Sequence, residues 1–539
     1  MIQRPAALLS LLSLVVVAVV APPVARAAAA ETTDAILDSL QYGAFRYAWD
    51  EANPVNGLIR DRSQPGSPCS IAAQGFGLSM ICIGVDHGWV SRAAAAARVL
   101  AALQTYWNGP QGPAASGTIG YQGLFYHFLD MNTATRTWSS ELSTIDTALL
   151  LAGILDARQY FDGSDPTEVQ IRALADAIYQ RVDWTFVQTC NPPCCTAIWM
   201  GWKPGSGFSD YNAWFGYNEA MILYLLAIGS PTHPIVGCAW STWTAGYGWE
   251  THYGYSYVRF APLFGHQYSH CWVDFRLYND AYMTARGLTY FENSRRATYA
   301  QREYCIDNPS GWAGYGPDLW GLTASDDPPP APLYLAHGAP PAENDNGTIT
   351  PTAAISSIPF APEIVLPVIE NLWTNYKSQL WGPYGFRDAF NLQLNWWGPD
   401  VLGIDQGPIG IMIENYRTGR VWERFMQSPE ILAALAAAGF TGVVGVEEAH
   451  VPASATAIEA APNPFVARTT IRYRLAQAGP VRLSVHDLTG RLVARLVDGE
   501  QSAGPHEVHF DGSRLPAGVY LCRLEAGEVD LKQMVVRLR

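Results

Sequence analysis

Between residues 33 and 445 the chain repeats one pattern, and that pattern limits the folds open to it. Roughly eleven or twelve segments with helical apolar periodicity alternate with long loops rich in Gly, Pro, Trp and Tyr. The helical segments include 33–50, 72–87, 91–107, 140–161, 167–182, 216–229, 279–302, 362–379, 407–426 and 429–438. In SRAAAAARVLAALQTYW, Ser91 stands where an N-cap would satisfy the first turn of an alanine-rich run. From Met221 to Ile228 every residue is apolar or aromatic, which predicts a helix buried on all faces. The loops at 240–278 and 304–350 are longer than connectors need to be, and loops of that length are as a rule functional. All 19 Trp fall between residues 49 and 422. Helices packed for mass, with aromatic loops gathered at one end, predict a helical barrel carrying an open cleft.

The character changes after residue 445. Residues 461–539 lack Trp and alternate with period two, as in TTIRYRLAQAGPVRLSVHDLTGRLVARLV, which predicts a small β-sandwich. Residues 446–460 read as the linker between the two. The first 27 residues combine Arg4, an apolar run and small residues at Ala25 and Ala27, the pattern of a cleaved secretory signal peptide. No later apolar run is long enough to span a bilayer, so the expected product is a secreted protein of the extracellular space or cell surface.

The formal net charge is −14, and it is unevenly spread. Residues 451–539 hold 11 Lys/Arg against 9 Asp/Glu, which leaves 23 against 39 for the rest. An acidic main domain is a poor partner for nucleic acid or anionic lipid, and a neutral substrate fits it better. Nine cysteines in an exported chain permit disulfides; CNPPCC (Cys190, Cys194, Cys195) has no nearby His at zinc spacing and reads as disulfide or thiol rather than metal. No metal or cofactor is expected.

Several carboxylates lie in aromatic or amide-rich settings: Glu141, Asp146, Glu219, Asp274, Asp388, Asp405 and Glu414. Each has an ordinary reading. Glu141 and Asp146, five apart at a helix start, are not expected on one face and could serve the helix dipole. Asp388 follows Arg387, and Asp274 precedes Arg276 by two, so local ion pairs would account for both. Together, however, they point to sugar chemistry, in which one protonated carboxyl serves the leaving oxygen and one carboxylate activates water. Aromatic rings stack on sugar faces, and His, Asn and Arg bond hydroxyls; His127, Trp138, Trp202, Tyr217, Asn218, His266, His270 and Arg417 are candidates for those contacts. Taken singly, each of these fits an ordinary role better, as a ring filling the core or a His bonded to a backbone carbonyl. The chain has no nucleophile elbow, phosphate loop or HExxH metal motif, and ENDNGTITP lacks calcium-loop spacing.

Six stretches are similar to one known family: GLFYHFLDM, ELSTIDTALLLAG, GYNEAMILYLLAIGSPTHPI, LFGHQYSHCWVDFR, TPTAAISSIPFAPE and GIDQGPIGIMIENYRTGRVW. In matching order over residues 33–440 they resemble the bacterial glucoamylase-like family, which includes the endo-β-1,2-glucanases of glycoside hydrolase family 144. The resemblance implies an all-α (α/α)6 barrel and metal-free, inverting endo-hydrolysis of β-1,2-glucan. It implies that Glu219 of YNEAM is the general acid and Asp405 of GIDQGP the base, and that Glu141 and Asp146 matter through substrate binding. Two departures stand out: Asn346 occupies the place before Gly347 where the family pattern has Asp, and CNPPCCT is an unusual insertion. The tail, through APNPFVARTTIRYRL, VRLSVHDLTGRLVARL and LPAGVYLCRLEAG, resembles the immunoglobulin-like C-terminal sorting domain of bacterial type IX secretion. That implies the outer-membrane secretion machinery as a partner.

Glu219 stands at the head of the apolar 221–228 segment, where burial would raise its carboxyl pKa toward that of an acid working near neutrality. Asp405, flanked by Gly403 and Gly407, is expected on a loop open to water. An inverting pair calls for about 6.5–9.5 Å between carboxyls, or more if water relays the proton, against about 5 Å for a retaining one. Two rivals remain at this stage: an exo-acting α-glucan hydrolase on the same barrel, and a non-catalytic surface glycan-binding protein.

Overall fold

The computed structural model describes residues 31–190, 196–330, 333–443, 457–461, 465, 467–475, 477–487, 491–502, 504–516, 518–527 and 529–537. The expected signal peptide, linker residues 446–456, and Cys194 and Cys195 lie outside them. Cys190 is disulfide-bonded; Cys69, Cys82, Cys271 and Cys305 are buried free thiols, as is Cys522 in the tail.

Helices dominate residues 33–437. In chain order the longer early ones are α1 (Thr33–Asp50), α2 (Ile71–Asp86), α3 (Arg92–Asn108), α4 (Thr144–Tyr160), α5 (Pro166–Arg181) and α6 (Met221–Ile228). Then come the short α7 (Ala239–Thr244) and α8 (Ala281–Thr284), α9 (Tyr290–Asp307), α10 (Pro351–Ile355) and α11 (Pro362–Asn371). The last are α12 (Lys377–Leu380), α13 (Gly403–Arg417), α14 (Arg420–Phe425) and α15 (Pro429–Ala437). Ser91 caps α3 by accepting from Ala94 N–H, as the sequence predicts.

Two classes of helix result from two kinds of sequence. α2, α4, α6, α10 and α13 are apolar or small-residue nearly all round and are buried nearly all round. α1, α3, α5 and α9 carry an apolar stripe and bury only that face. The first class packs mutually, α2 on α4 and α13, α6 on α4, α10 on α13, while α1 backs α2 and α13 and α3 backs α5. The α2–α4 approach depends on Gly153: a Cβ there would lie 1.9 Å from the Gly75 carbonyl oxygen.

Local chemistry moved some boundaries. The segment expected as a helix from 216 begins only at Met221, because residues 216–220 form turns. The 279–302 segment is two helices, α8 and α9. The 407–426 segment starts earlier, at Gly403, and breaks at Gly419, whose φ of +69° ends α13 and opens α14. The long loops hold short antiparallel pairings, among them Leu142–Ser143 against both Leu124–Tyr126 and Gly201–Trp202.

The tail forms two antiparallel sheets. One orders Ala457–Ala461, Arg468–Leu475 and Gly504–Asp511; the other orders Leu492–Gln501, Gly479–Asp487, Gly518–Ala526 and Val529–Arg537. The first strand begins at Ala457, four residues inside the expected linker. Ile471, Tyr473, Leu483, Val485, Cys522 and Leu524 alternate inward to make one core shared by both sheets, separate from the core of the helices.

Candidate active site

The N-terminal end of α4 carries the first cluster. Ser143 caps the helix, accepting from Asp146 N–H at 3.2 Å and donating to Asp146 Oδ2 at 2.5 Å. Glu141 lies before the helix, on the approach to the Leu142–Ser143 strand, so helical spacing does not govern it. His127 joins the two: its Nδ1 is 2.9 Å from Glu141 Oε1 and its Nε2 is 3.6 Å from Asp146 Oδ2. The sequence expectation that these acids diverge is therefore corrected. Burial alone would lower the His127 pKa, but Asp146 and Glu141 outweigh it and push it up to about 9, so an imidazolium sits between two carboxylates. Ligand atoms of His127, Glu141 and Asp146 lie within 4.8 Å of one another, the geometry of a possible cation site among the described residues; the imidazolium already supplies a positive charge there.

Beside this cluster the chain is strained in order to present a ring. Trp138 and Ser139 have φ of +54° and +50°, left-handed values that non-glycine residues adopt only when held. Arg136 holds them, donating to the carbonyl oxygens of Ser139 at 2.9 Å and Ser140 at 2.6 Å. Trp138 is left 64% exposed at a cleft of about 450 Å³ lined also by Glu51, Arg60, Asp130 and Met131. Trp202, by contrast, is half-buried against Tyr121 and Phe186.

Glu219 occupies the turn just before α6. Its backbone is pinned by Ser269, whose hydroxyl donates to Glu219 O at 2.9 Å and accepts from Ile222 N–H at 3.1 Å. Asn218 accepts from Ala220 N–H at 2.9 Å and so shapes the turn, leaving its side chain buried. The Glu219 carboxyl is half-buried and, among the described residues, has no ion-pair partner. Burial, with Asp146 adding to it, pushes its pKa up to about 7.

The third cluster was not visible in the sequence. Arg62 reaches Asp61 at 3.2 Å, Asp326 at 3.1 Å and Asp400 at 3.4 Å. Asp405 adjoins it in the first turn of α13. It is only 4% exposed, which corrects the expectation of a water-accessible loop. Burial first, then Asp326 and Asp61, push its pKa up to about 7, while Asp388 and Arg62 pull it down. Asp388 makes no ion pair with Arg387, which instead donates to the Pro399 carbonyl at 2.9 Å. Asp61 links the clusters, with Arg62 beside it and His127 and Asp146 within electrostatic range. The buried Tyr268 phenol feels both Asp405 and Glu219.

Other candidates fall elsewhere. His266 and His270 are fully buried, their pKa values pushed down to about 3 by burial. His266 bonds the Phe260 carbonyl, and Ser294 lies between the two rings. They are neutral core residues, not sugar contacts. Tyr217 is buried against His266 and Tyr290. Arg417 lies at the opposite end of α13 from Asp405, bound to Asp38 and Gln41 of α1. Asp274 is held by Arg276 at 2.8 Å, and Glu414 by His87 at 2.9 Å. Asn346 donates to Asp327 at 2.9 Å, where an Asp would set two carboxylates face to face.

The chain and its fold have known counterparts. The Glycoamylase family model matches residues 211–429, a span that includes both Glu219 and Asp405. The crystal structure of an endo-β-1,2-glucanase from Chitinophaga pinensis, in complex with sophorotriose and glucose, superposes with a TM-score of 0.69 at 30% identity. The match covers 76% of this chain and 99% of that one. The chain belongs to the glucoamylase-like family. A second member, the β-1,2-glucanase from Parabacteroides distasonis, superposes with a TM-score of 0.70 at 31% identity over 76% of this chain and 60% of that one. A curated relative from the same species, an exo-β-1,2-glucooligosaccharide sophorohydrolase acting at the non-reducing end, is 33% identical over 433 residues. That match takes in 74% of this chain but only 57% of the relative's length. Residues 460–537 match a secretion-system C-terminal sorting domain. No described helix is long and apolar enough to cross a membrane.

Proposed function

We propose that this protein is an exported glycoside hydrolase that cleaves β-1,2-glucan with inversion. In this reading residues 31–445 form an (α/α)6 barrel, and the C-terminal strands form an immunoglobulin-like sorting domain that engages the outer-membrane secretion machinery. Glu219 is the general acid and gives its proton to the glycosidic oxygen. Asp405 is the base that draws a proton from the attacking water, through intervening waters where needed. Trp138, His127, Glu141, Asp146 and Trp202 hold the glucan.

The observation that carries this reading is the contrast between two carboxyls that share one phenolic neighbour, Tyr268. Burial raises both pKa values to about 7, but Glu219 has no ion-pair partner among the described residues. Asp405 has Arg62 and a hydrogen-bonding Asp388 that favour its ionised form. Acid and base chemistry need that difference in surroundings. The match to β-1,2-glucanases supports the linkage.

Reducing-sugar release from linear β-1,2-glucan, with starch and β-1,3-glucan in parallel, tests the proposal. Activity on β-1,2-glucan alone is expected. Glu219→Gln and Asp405→Asn should each lower kcat by about 10²–10⁴-fold while glucan binding persists. Activity on starch would favour an exo-acting α-glucan hydrolase, and binding without any turnover a glycan-binding protein. Internal cutting, the proposed mode, yields a ladder of products; the exo mode named for the curated relative would release one short product throughout.

A further inference from the structure

Among the described residues, two buried oxygens at the proposed base have no hydrogen-bond donor: Oδ1 of Asp388 and Oδ2 of Asp405 itself. Such atoms are costly to leave unsatisfied. The other Asp388 oxygen is provided for, since Oδ2 accepts from Asp326 N–H at 2.6 Å. The two carboxyl groups lie close enough for a proton to bridge them. With both ionised, that contact would set two buried negative charges together and leave both lone pairs empty. A single proton between them removes both penalties.

We propose that Asp388 is a positioning residue that keeps this proton and donates a hydrogen bond through it to Asp405, holding the base ionised and fixed in orientation. The inference rests on the assignment of Asp405 as base. The surroundings decide which partner carries the proton. Facing Asp405 are Asp326, Asp61 and the Arg62 guanidinium, with the Tyr268 and Tyr334 phenols in range. Arg62 stabilises its negative charge. Facing Asp388 are carboxylates, Asp405 and Asp326, and its neighbour Arg387 is turned away to the Gly398 and Pro399 carbonyls. Burial and then Asp405 hold Asp388 well above the usual carboxylate range, consistent with the proton residing there. Asp388 thus acts as a neutral donor, a part that an asparagine amide can also play: its oxygen accepts from Asp326 N–H and its NH2 donates to Asp405.

That equivalence makes the test. Asp388→Asn should keep most of the β-1,2-glucanase turnover and leave the acid limb of its pH profile in place. Asp388→Ala removes the donor, so the Asp405 pKa rises and the acid limb should move up by about one pH unit, about tenfold in rate on that limb. Equal impairment of both variants, or an unmoved limb in Asp388→Ala, would overturn the proposal. An infrared measurement, which does not depend on activity, covers the case in which Asp388→Ala fails to fold. At a pH about two units above the Asp405 value of about 7, the Glu219→Gln protein should show a neutral-carboxyl band that is lost in Glu219→Gln/Asp388→Asn. A band that persists in the double variant refutes the shared proton. Should Asp405→Asn remain active while the band behaves as expected, the proton pair stands and the assignment of Asp405 as base fails.

Discussion

At the scale of single residues, the site works by placing carboxyls in unlike surroundings. In the proposed mechanism Glu219 must be protonated and Asp405 ionised, and both titrate at about 7. The pH profile of kcat should therefore be a narrow bell close to neutrality, with Asp405 protonation on the acid side and Glu219 ionisation on the alkaline side. A broad plateau from pH 4 to 7 would contradict it. His127 behaves oppositely to a carboxylate. Its folded pKa is raised to about 9, so its ion pairs contribute stability fully below its unfolded pKa of about 6.5 and lose it as pH rises through 9. His127→Phe should weaken glucan binding and flatten the alkaline fall in Tm, as read by thermal denaturation across that range. Of these residues, Glu219 and Asp405 could be named from local motifs. Asp388 could be named only as a candidate carboxylate, and Arg62, Asp61 and Asp326 could not be named at all, because their meeting with Asp405 is encoded in no local spacing.

At the scale of elements, glycine and buried charge set how the inner helices meet. Propensity alone says that Gly153→Ala in the middle of α4 should stabilise by up to about 1 kcal/mol. The structure reverses the sign, since the added methyl would drive into the Gly75 backbone. A loss of about 1–3 kcal/mol or more is expected, measured by denaturant unfolding. α4 also carries Asp156, fully buried and gripped by Arg424 of α14 at 2.6 and 2.8 Å. Asp156→Ala would leave the guanidinium buried without its carboxylate and should cost about 3–5 kcal/mol. The same change at the exposed Arg46–Asp50 pair should cost at most about 1 kcal/mol.

At the scale of the whole molecule, the helices and the tail each have a core of their own. The Chitinophaga pinensis structure is matched over 99% of its own length by 76% of this chain, and the sorting-domain match is confined to residues 460–537. A protein ending at residue 445 should accordingly retain kcat and KM on β-1,2-glucan. What it should lose is delivery: surface fractionation of the source cells is expected to find the truncated protein held inside. A large fall in kcat on truncation would mean that the tail contributes to catalysis.

Apolar periodicity determined which stretches become helices and which of them lie inside, because burial on one face or on all faces is written directly in residue order. Period two determined the strands of the tail for the same reason. The raised pKa of Glu219 was legible because it heads a helix whose body is apolar or aromatic throughout. Tertiary structure alone decided that His266 and His270 are core and that Arg417 lies far from Asp405. It alone placed Glu141 and Asp146 on one imidazolium and sank Asp405 beside a second carboxyl. The reason is physical: hydrophobic pattern is a local property of the chain, whereas a titration state depends on charges within a few ångströms, and here these come from separate segments, from 14 residues apart for His127 and Glu141 to 338 for Arg62 and Asp400.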